Sequence, residues 1–137
     1  MTPEIQAFAA GFPATLAHAF VSLVLLAAGA FIYVLLTPYH EINEIRDGNG
    51  AAAVSFGGVL IGLAIPLAFS LSASTSITEL ALWGASITAV QLLLFRLTDF
   101  ILKGLPQRVE EGEIPAAVLL VAAKIATALL LAAAVAG

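Results

Sequence analysis

The sequence predicts an all-α integral membrane protein with four transmembrane helices. Of its 137 residues, 61% are hydrophobic and only 10% are charged, and the mean hydropathy is +1.08. A soluble domain of this length carries about 25% charged residues. The few charges also cluster, which leaves several long apolar runs, and about 20 such residues suffice to cross a bilayer as a helix. We therefore interpret residues 1–137 as a single membrane domain whose first partner is the lipid bilayer.

Composition also argues against several classes of function. The chain has no Cys, so neither a disulfide nor a thiolate metal site is expected. Its net charge of -4 argues against a nucleic-acid partner, which needs a basic face. We find no Gly-rich phosphate loop, nucleophile–base pair or His cluster, and the loop acids are interpreted as a solvated face rather than a metal site. The sequence therefore predicts no enzyme activity, no cofactor and no metal.

The N-terminal third predicts an interfacial turn followed by the first span. In the turn, about residues 1–12, Thr2 suits the helix cap and Pro3 the first helical position. The first span is predicted over about 13–36, a length of roughly 36 Å. Within it, His18 is interpreted as a neutral side chain bonded to a backbone carbonyl or to interfacial water; a proton relay is the alternative.

A charged junction follows the first span. Pro38 is expected to bend or end that helix, and Tyr39, Ile42 and Ile45 recur at a spacing typical of a short amphipathic turn. Gly48 is the expected left-handed stop. Six residues are assigned to this junction and its later counterpart, on the cytoplasmic side: Pro38, Glu41, Arg46, Gly48, Asn49 and Gly112.

The second span, about 51–72, carries a face of small residues. The face contains a GxxxG pair and consists of Ser55, Gly58, Gly62 and Pro66. Small residues let helix backbones approach closely within lipid. This face predicts close helix packing, either within the chain or between chains.

The remaining spans are predicted over about 77–102 and 115–135, with a second amphipathic turn near 105–113 between them. Residues around Ile45, Gly48 and Ala52 align with those around Val109, Gly112 and Ala116. We therefore predict two tandem two-helix repeats, over about 13–72 and 77–136.

The distribution of basic residues predicts the orientation. Outside the spans, Lys and Arg occur only in the first and third loops, as Arg46, Lys103 and Arg108. By the positive-inside rule these loops face the cytoplasm and both termini face the periplasm.

Four polar residues within the last two spans form a predicted network: Gln91, Arg96, Asp99 and Lys124. Arg96 and Asp99 are three residues apart on one helical face and can pair. Lys124 lies roughly 14 Å from the start of its span, and its long stem can reach Asp99. One interpretation is a structural ion pair; the other is a polar site for a substrate or a proton.

These features resemble the YjfL-like bacterial inner-membrane proteins, the family of domain of unknown function 350. The resemblance is carried by residues 37–41, 44–53, Gly58, Gly62 and 66–67, and later by 83–84, 91–93, Arg96, 112–113 and 116–117. The fourth span differs from the family pattern near Lys124 and Leu131. The resemblance implies four spans in the inner membrane and no established activity.

Two functions remain open on the sequence. The first is a non-enzymatic membrane module that forms a homo-oligomer or joins other membrane subunits. The alternative is a small transport or permeation protein whose polar site includes Arg96, Asp99 and Lys124.

Overall fold

The computed structural model describes residues 2–38 and 40–137. Tyr39, predicted to belong to the amphipathic turn, lies outside the described residues, as does Met1. Within the described ranges the regular elements are six helices: α1 Pro3–Leu36, α2 Glu41–Arg46, α3 Gly50–Ala73, α4 Ile77–Ile101, α5 Leu105–Glu110 and α6 Ile114–Ala136. The four long helices are each apolar enough to cross a membrane. The predicted all-α chain with four spans is confirmed; the tandem repeat remains a prediction.

The predicted break between an interfacial turn and the first span is wrong. Helix α1 is continuous over 34 residues and contains Pro13. Thr2 caps it, as predicted, because its Oγ1 accepts a hydrogen bond from the Ile5 amide at 3.3 Å. The helix continues through this region because residues 5–12 and 14–20 are mostly Ala and Phe, and none of them is a Pro or a charged residue that would end it.

Helix α3 is the centre of the bundle. It packs most extensively on α6 and also contacts α1 and α4. One core cluster joins α1, α3 and α4, and consists of Tyr33, Val59, Leu63, Leu92 and Phe95. A second cluster joins α3, α5 and α6, and consists of Ala51, Val109, Ala116, Ala117 and Leu120.

The GxxxG pair packs within the chain. A Cβ added at Gly58 would lie 2.5 Å from a Val121 side-chain carbon, and one added at Gly62 would lie 2.7 Å from the Phe95 ring. Gly58 therefore lets α3 approach α6, and Gly62 lets it approach α4. Ser55 and Pro66, the other members of the predicted face, are also buried.

The two short helices lie together at one end of the bundle. Gly48 and Gly112 follow α2 and α5 with φ of 92° and 90°, as left-handed stops. Asn49 joins the two junctions, because its Nδ2 donates to the carbonyl oxygens of Val109 at 3.1 Å and Glu110 at 3.0 Å. We call this the junction end; the chain termini lie at the opposite, terminal end.

Two neighbouring glycines give a matched test of the α3–α6 packing. We expect Gly58→Ala to lower the free energy of unfolding by about 1–3 kcal/mol, because overpacking forces Val121 or a helix to shift. Gly57→Ala is the control, because nothing lies within 4 Å of its added Cβ. The control should be neutral, or stabilising by up to about 1 kcal/mol through helix propensity.

Unfolding in detergent, followed by circular dichroism, measures both variants. The double variant Gly58→Ala with Val121→Ala should recover most of the loss. Equal stability of Gly58→Ala and Gly57→Ala would contradict the close approach.

Candidate functional site

Lys124 is buried in the bundle and holds three helices together. It lies on α6, and its side chain is 1% exposed. Its Nζ is 2.9 Å from Oδ1 of Asp99 on α4, and it donates a hydrogen bond of 2.9 Å to the hydroxyl of Tyr33 on α1. The ammonium therefore has a counter-charge and an acceptor, without which its burial in the membrane would be costly.

Two aromatic rings complete the surroundings of the ammonium. The Nζ of Lys124 lies 5.0 Å from the Tyr33 ring centroid and 5.7 Å from that of Phe95. The rings meet edge to face, with centroids 6.1 Å apart. A cation over aromatic faces is attracted by the ring quadrupole, and more strongly where water is excluded. The aromatic pair therefore adds favourable contacts to the ion pair and the hydrogen bond of Lys124.

Asp99 also contacts a second cation, as the sequence predicted. Its Oδ2 lies 3.5 Å from a guanidinium nitrogen of Arg96. The Arg96 side chain is 40% exposed and that of Asp99 10% exposed, so the pair lies near the edge of the bundle. One carboxylate thus meets two cations, one buried and one accessible, and the three groups together carry a net charge of about +1.

Gln91 is buried beside the ion network, which consists of Lys124, Asp99 and Arg96. Its Nε2 donates to Thr127 Oγ1 at 3.1 Å, and that hydroxyl donates to the Lys124 carbonyl at 2.7 Å. Gln91 therefore ties α4 to α6 one contact away from the ion pair. The structure brings together three of the predicted network residues directly and the fourth through Thr127.

Tyr33, Phe95 and Thr127 were missed by the sequence analysis. Tyr33 lies three residues before the end of α1, and Asp99 lies two residues before the end of α4. Both helices run towards the junction end, so the two polar groups lie at similar depth. That common distance from the helix end was the available signal, but it does not show which aromatic residue faces inwards.

A polar cavity opens at the junction end, beside Asp99. Its volume is about 340 Å³, and it lies between the end of α4, α5 and Pro38. Its charged lining residues are Arg96, Asp99, Lys103 and Glu110. The accessible side of the ion network therefore faces this cavity.

The acids of the two junctions differ in environment. The prediction of a solvated face is wrong for Glu41, which is fully buried where α2 packs on α3. Arg46 of the same junction is exposed. At the other junction Arg108 binds Glu113, and this hydrogen bond, together with the guanidinium charge, holds the pKa of the Glu113 carboxyl below its ordinary value.

The contact of His18 agrees with the first of its two interpretations, a bond to a backbone carbonyl. Its Nδ1 lies 2.8 Å from the carbonyl oxygen of Ala14, one turn back in α1. This is the backbone contact that the sequence analysis predicted, and the ion network lies near the other end of the helix.

The architecture is that of a small multi-pass membrane protein, with four apolar helices and a buried ion pair between α4 and α6 that also contacts α1. A family model described as Domain of Unknown Function (DUF350) matches residues 7–135, and the chain belongs to this family. The predicted resemblance is therefore confirmed.

Curated relatives show the same kinship. The chain is 34% identical over 79 residues to the UPF0719 inner membrane protein YjfL of Escherichia coli K12, and the match covers 58% of this chain and 60% of that protein. It is 27% identical over 81 residues to the UPF0719 transmembrane protein YshE of Bacillus subtilis 168, covering 59% and 60%. The matches thus span about 60% of the length of these relatives. No solved structure matches the chain.

The ion pair gives the second prediction. We expect Asp99→Ala to lower the free energy of unfolding by about 3–5 kcal/mol, because Lys124 is then buried without its counter-charge. Replacing both residues by Leu should be nearly neutral, since the desolvation cost disappears with the attraction.

Arg96→Ala is the control for charge at this site. It removes an accessible partner at longer distance and should cost about 0–1 kcal/mol. Thermal unfolding in detergent compares the four proteins. If Asp99→Ala is as stable as the wild type, the pair does not support the fold.

Proposed function

We propose that this chain is a non-enzymatic module of the bacterial inner membrane that self-associates, or serves as a subunit of a larger membrane complex, through the N-terminal half of α1. The observation that carries this is the exposure of α1. Of its 34 residues only Gly29 and Tyr33 are fully buried, and every residue from Thr2 to Ala17 is exposed. The inner-membrane location is supported by four apolar helices and by the name of the relative YjfL.

A bundle that functions as a monomer does not account for the N-terminal extension of α1, which is about residues 3–12. The other spans have 23–25 residues, so α1 is about ten residues longer, or roughly 15 Å. Its exposed apolar residues include Ile5, Phe8 and Phe12, and the two Phe rings stack at 4.9 Å. A helical segment of about ten residues is marginal alone in water, and exposed aromatic residues are typical anchors of protein–protein interfaces. A second α1, or a helix of another subunit, would cover them.

The GxxxG face supports this choice of surface by elimination. Gly58 and Gly62 are filled by Val121 and Phe95 of the same chain. Both glycines are therefore occupied in the monomer. Association with another chain would use the exposed helix faces, and α1 has the longest of these.

Cysteine crosslinking tests the proposal, because the chain has no native Cys. We expect Phe12→Cys to give a covalent dimer, or a defined larger adduct, on mild oxidation in native membranes. Leu130→Cys on α6 is the control: it is 74% exposed and also lies near the terminal end, but it should stay monomeric. A Phe12→Cys protein that remains monomeric and purifies without a partner would contradict the proposal.

Periplasmic termini are the second part of the proposal. They are supported by the three basic residues Arg46, Lys103 and Arg108, which lie at or beside the junction end. We expect Thr75→Cys to react with a membrane-impermeant maleimide on intact spheroplasts and Asp47→Cys to react only after lysis. Both positions are exposed, so access depends on the side of the membrane. The reverse pattern would invert the orientation.

Transport is the alternative function, and the polar cavity beside Arg96 and Asp99 is the observation in its favour. Against it, Lys124 is almost fully buried and paired, so no charged path crosses the bundle at that point. Flux of a polar solute into liposomes that disappears in Lys124→Ala would favour transport over the module proposed above.

A further inference from the structure

We propose that the groove between α1 and α4 binds an anionic phospholipid, with an acyl chain in the groove and the phosphate on Arg96. The groove has a volume of about 540 Å³, and its lining is almost entirely apolar apart from Arg96 at one end. The apolar lining includes Leu25, Ala28, Ile32, Leu36, Ala89 and Leu93.

The groove is a consequence of how α1 and α4 meet. The two helices run in the same direction and touch at two glycines. A Cβ at Gly29 would lie 2.8 Å from Thr88, and one at Gly84 would lie 2.6 Å from Leu25. These contacts close the inner side of the groove. On the outer side, exposed alanines such as Ala28 leave an open channel between the helices.

The length of the groove matches one leaflet. Along α4 it extends from Ala85 to Arg96, which is roughly 16 Å by helical rise. Half of a hydrocarbon core about 30 Å thick is about 15 Å. An acyl chain that fills the groove therefore places its headgroup at the level of Arg96, at the junction end.

The charges that line the cavity beside Arg96 favour an anionic headgroup. Arg96 lines both the groove and the polar cavity, and Lys103 lies in the same cavity. The acids there are Glu110 and Asp99, and Asp99 is already engaged by Lys124 at 2.9 Å. With buried Lys124 as the partner of Asp99, the cations Arg96 and Lys103 are balanced in the cavity only by Glu110, so a positive charge of about one remains. A guanidinium that is 40% exposed can donate two parallel hydrogen bonds to a phosphate.

This site is separate from the surface of the proposed function. The exposed extension of α1 lies at the terminal end, whereas Arg96 lies near the junction end. Lipid binding and self-association can therefore fail independently.

Native mass spectrometry of the full chain in detergent tests the proposal. With added phosphatidylglycerol or phosphatidylcholine, we expect phosphatidylglycerol to bind the wild type at least about tenfold more tightly, a difference of about 1.4 kcal/mol. Arg96→Ala should remove that preference. Arg46→Ala, an equal loss of charge at an exposed junction residue outside the groove, should keep it.

A second variant tests the acyl chain without touching the ion network. Ala89→Trp fills the groove from an exposed position and should weaken the binding of both lipids. The proposal is overturned if the wild type does not prefer phosphatidylglycerol, if Arg96→Ala keeps the preference, or if Ala89→Trp binds both lipids as the wild type does. A lipid-free dimer that Ala89→Trp dissociates would also overturn it, because a second copy would then occupy the groove.

Discussion

The burial of Lys124 against Asp99 and Tyr33 is the constraint on which the rest of the structure depends. A lysine near the centre of a membrane helix costs about 2.5–3.5 kcal/mol on insertion scales unless it finds partners. Its partners come from two other helices, at 2.9 Å each. Such distances fix the axial positions of α1, α4 and α6 relative to one another. Apolar packing alone specifies these positions less sharply, because lipid and apolar side chains offer similar surroundings.

The ion pair depends on the close packing of α3. The missing side chain of Gly62 admits the edge of the Phe95 ring, and the ring centroid lies 5.7 Å from the Lys124 ammonium. Gly58 meanwhile lets α6 approach, which carries Lys124 into the bundle. A larger residue at either glycine would move a helix that supplies part of the lysine's surroundings. The small-residue face and the charged residues, separate in the sequence, therefore belong to one arrangement.

Much of the fold was predictable because membrane helices follow simple rules. Span number comes from hydropathy, and Gly48, Asn49 and Gly112 mark their turns by residue type. The contact between Asp99 and Lys124 was also predictable, since a buried charge requires a partner of opposite sign. The aromatic partners Tyr33 and Phe95 were not, because hydropathy does not show which face of a span points inwards. The continuity of α1 was missed because an apolar helix end is compatible with both an interfacial turn and a longer helix. The burial of Glu41 was missed because a loop acid carries no signal of the tertiary contacts that cover it.

Distances between spin labels in a chain without native cysteine test the central claim most directly, namely that the buried lysine holds α1 in place. Labels at Leu35 and Phe100 report α1 against α4, and labels at Val54 and Val118 report α3 against α6; all four positions are exposed. Lys124→Met keeps most of the length of the side chain and removes its charge. The account predicts that the α1–α4 distance distribution broadens in this variant while the α3–α6 distribution stays narrow. An unchanged α1–α4 distribution would contradict it, because the helix would then be held by apolar packing alone.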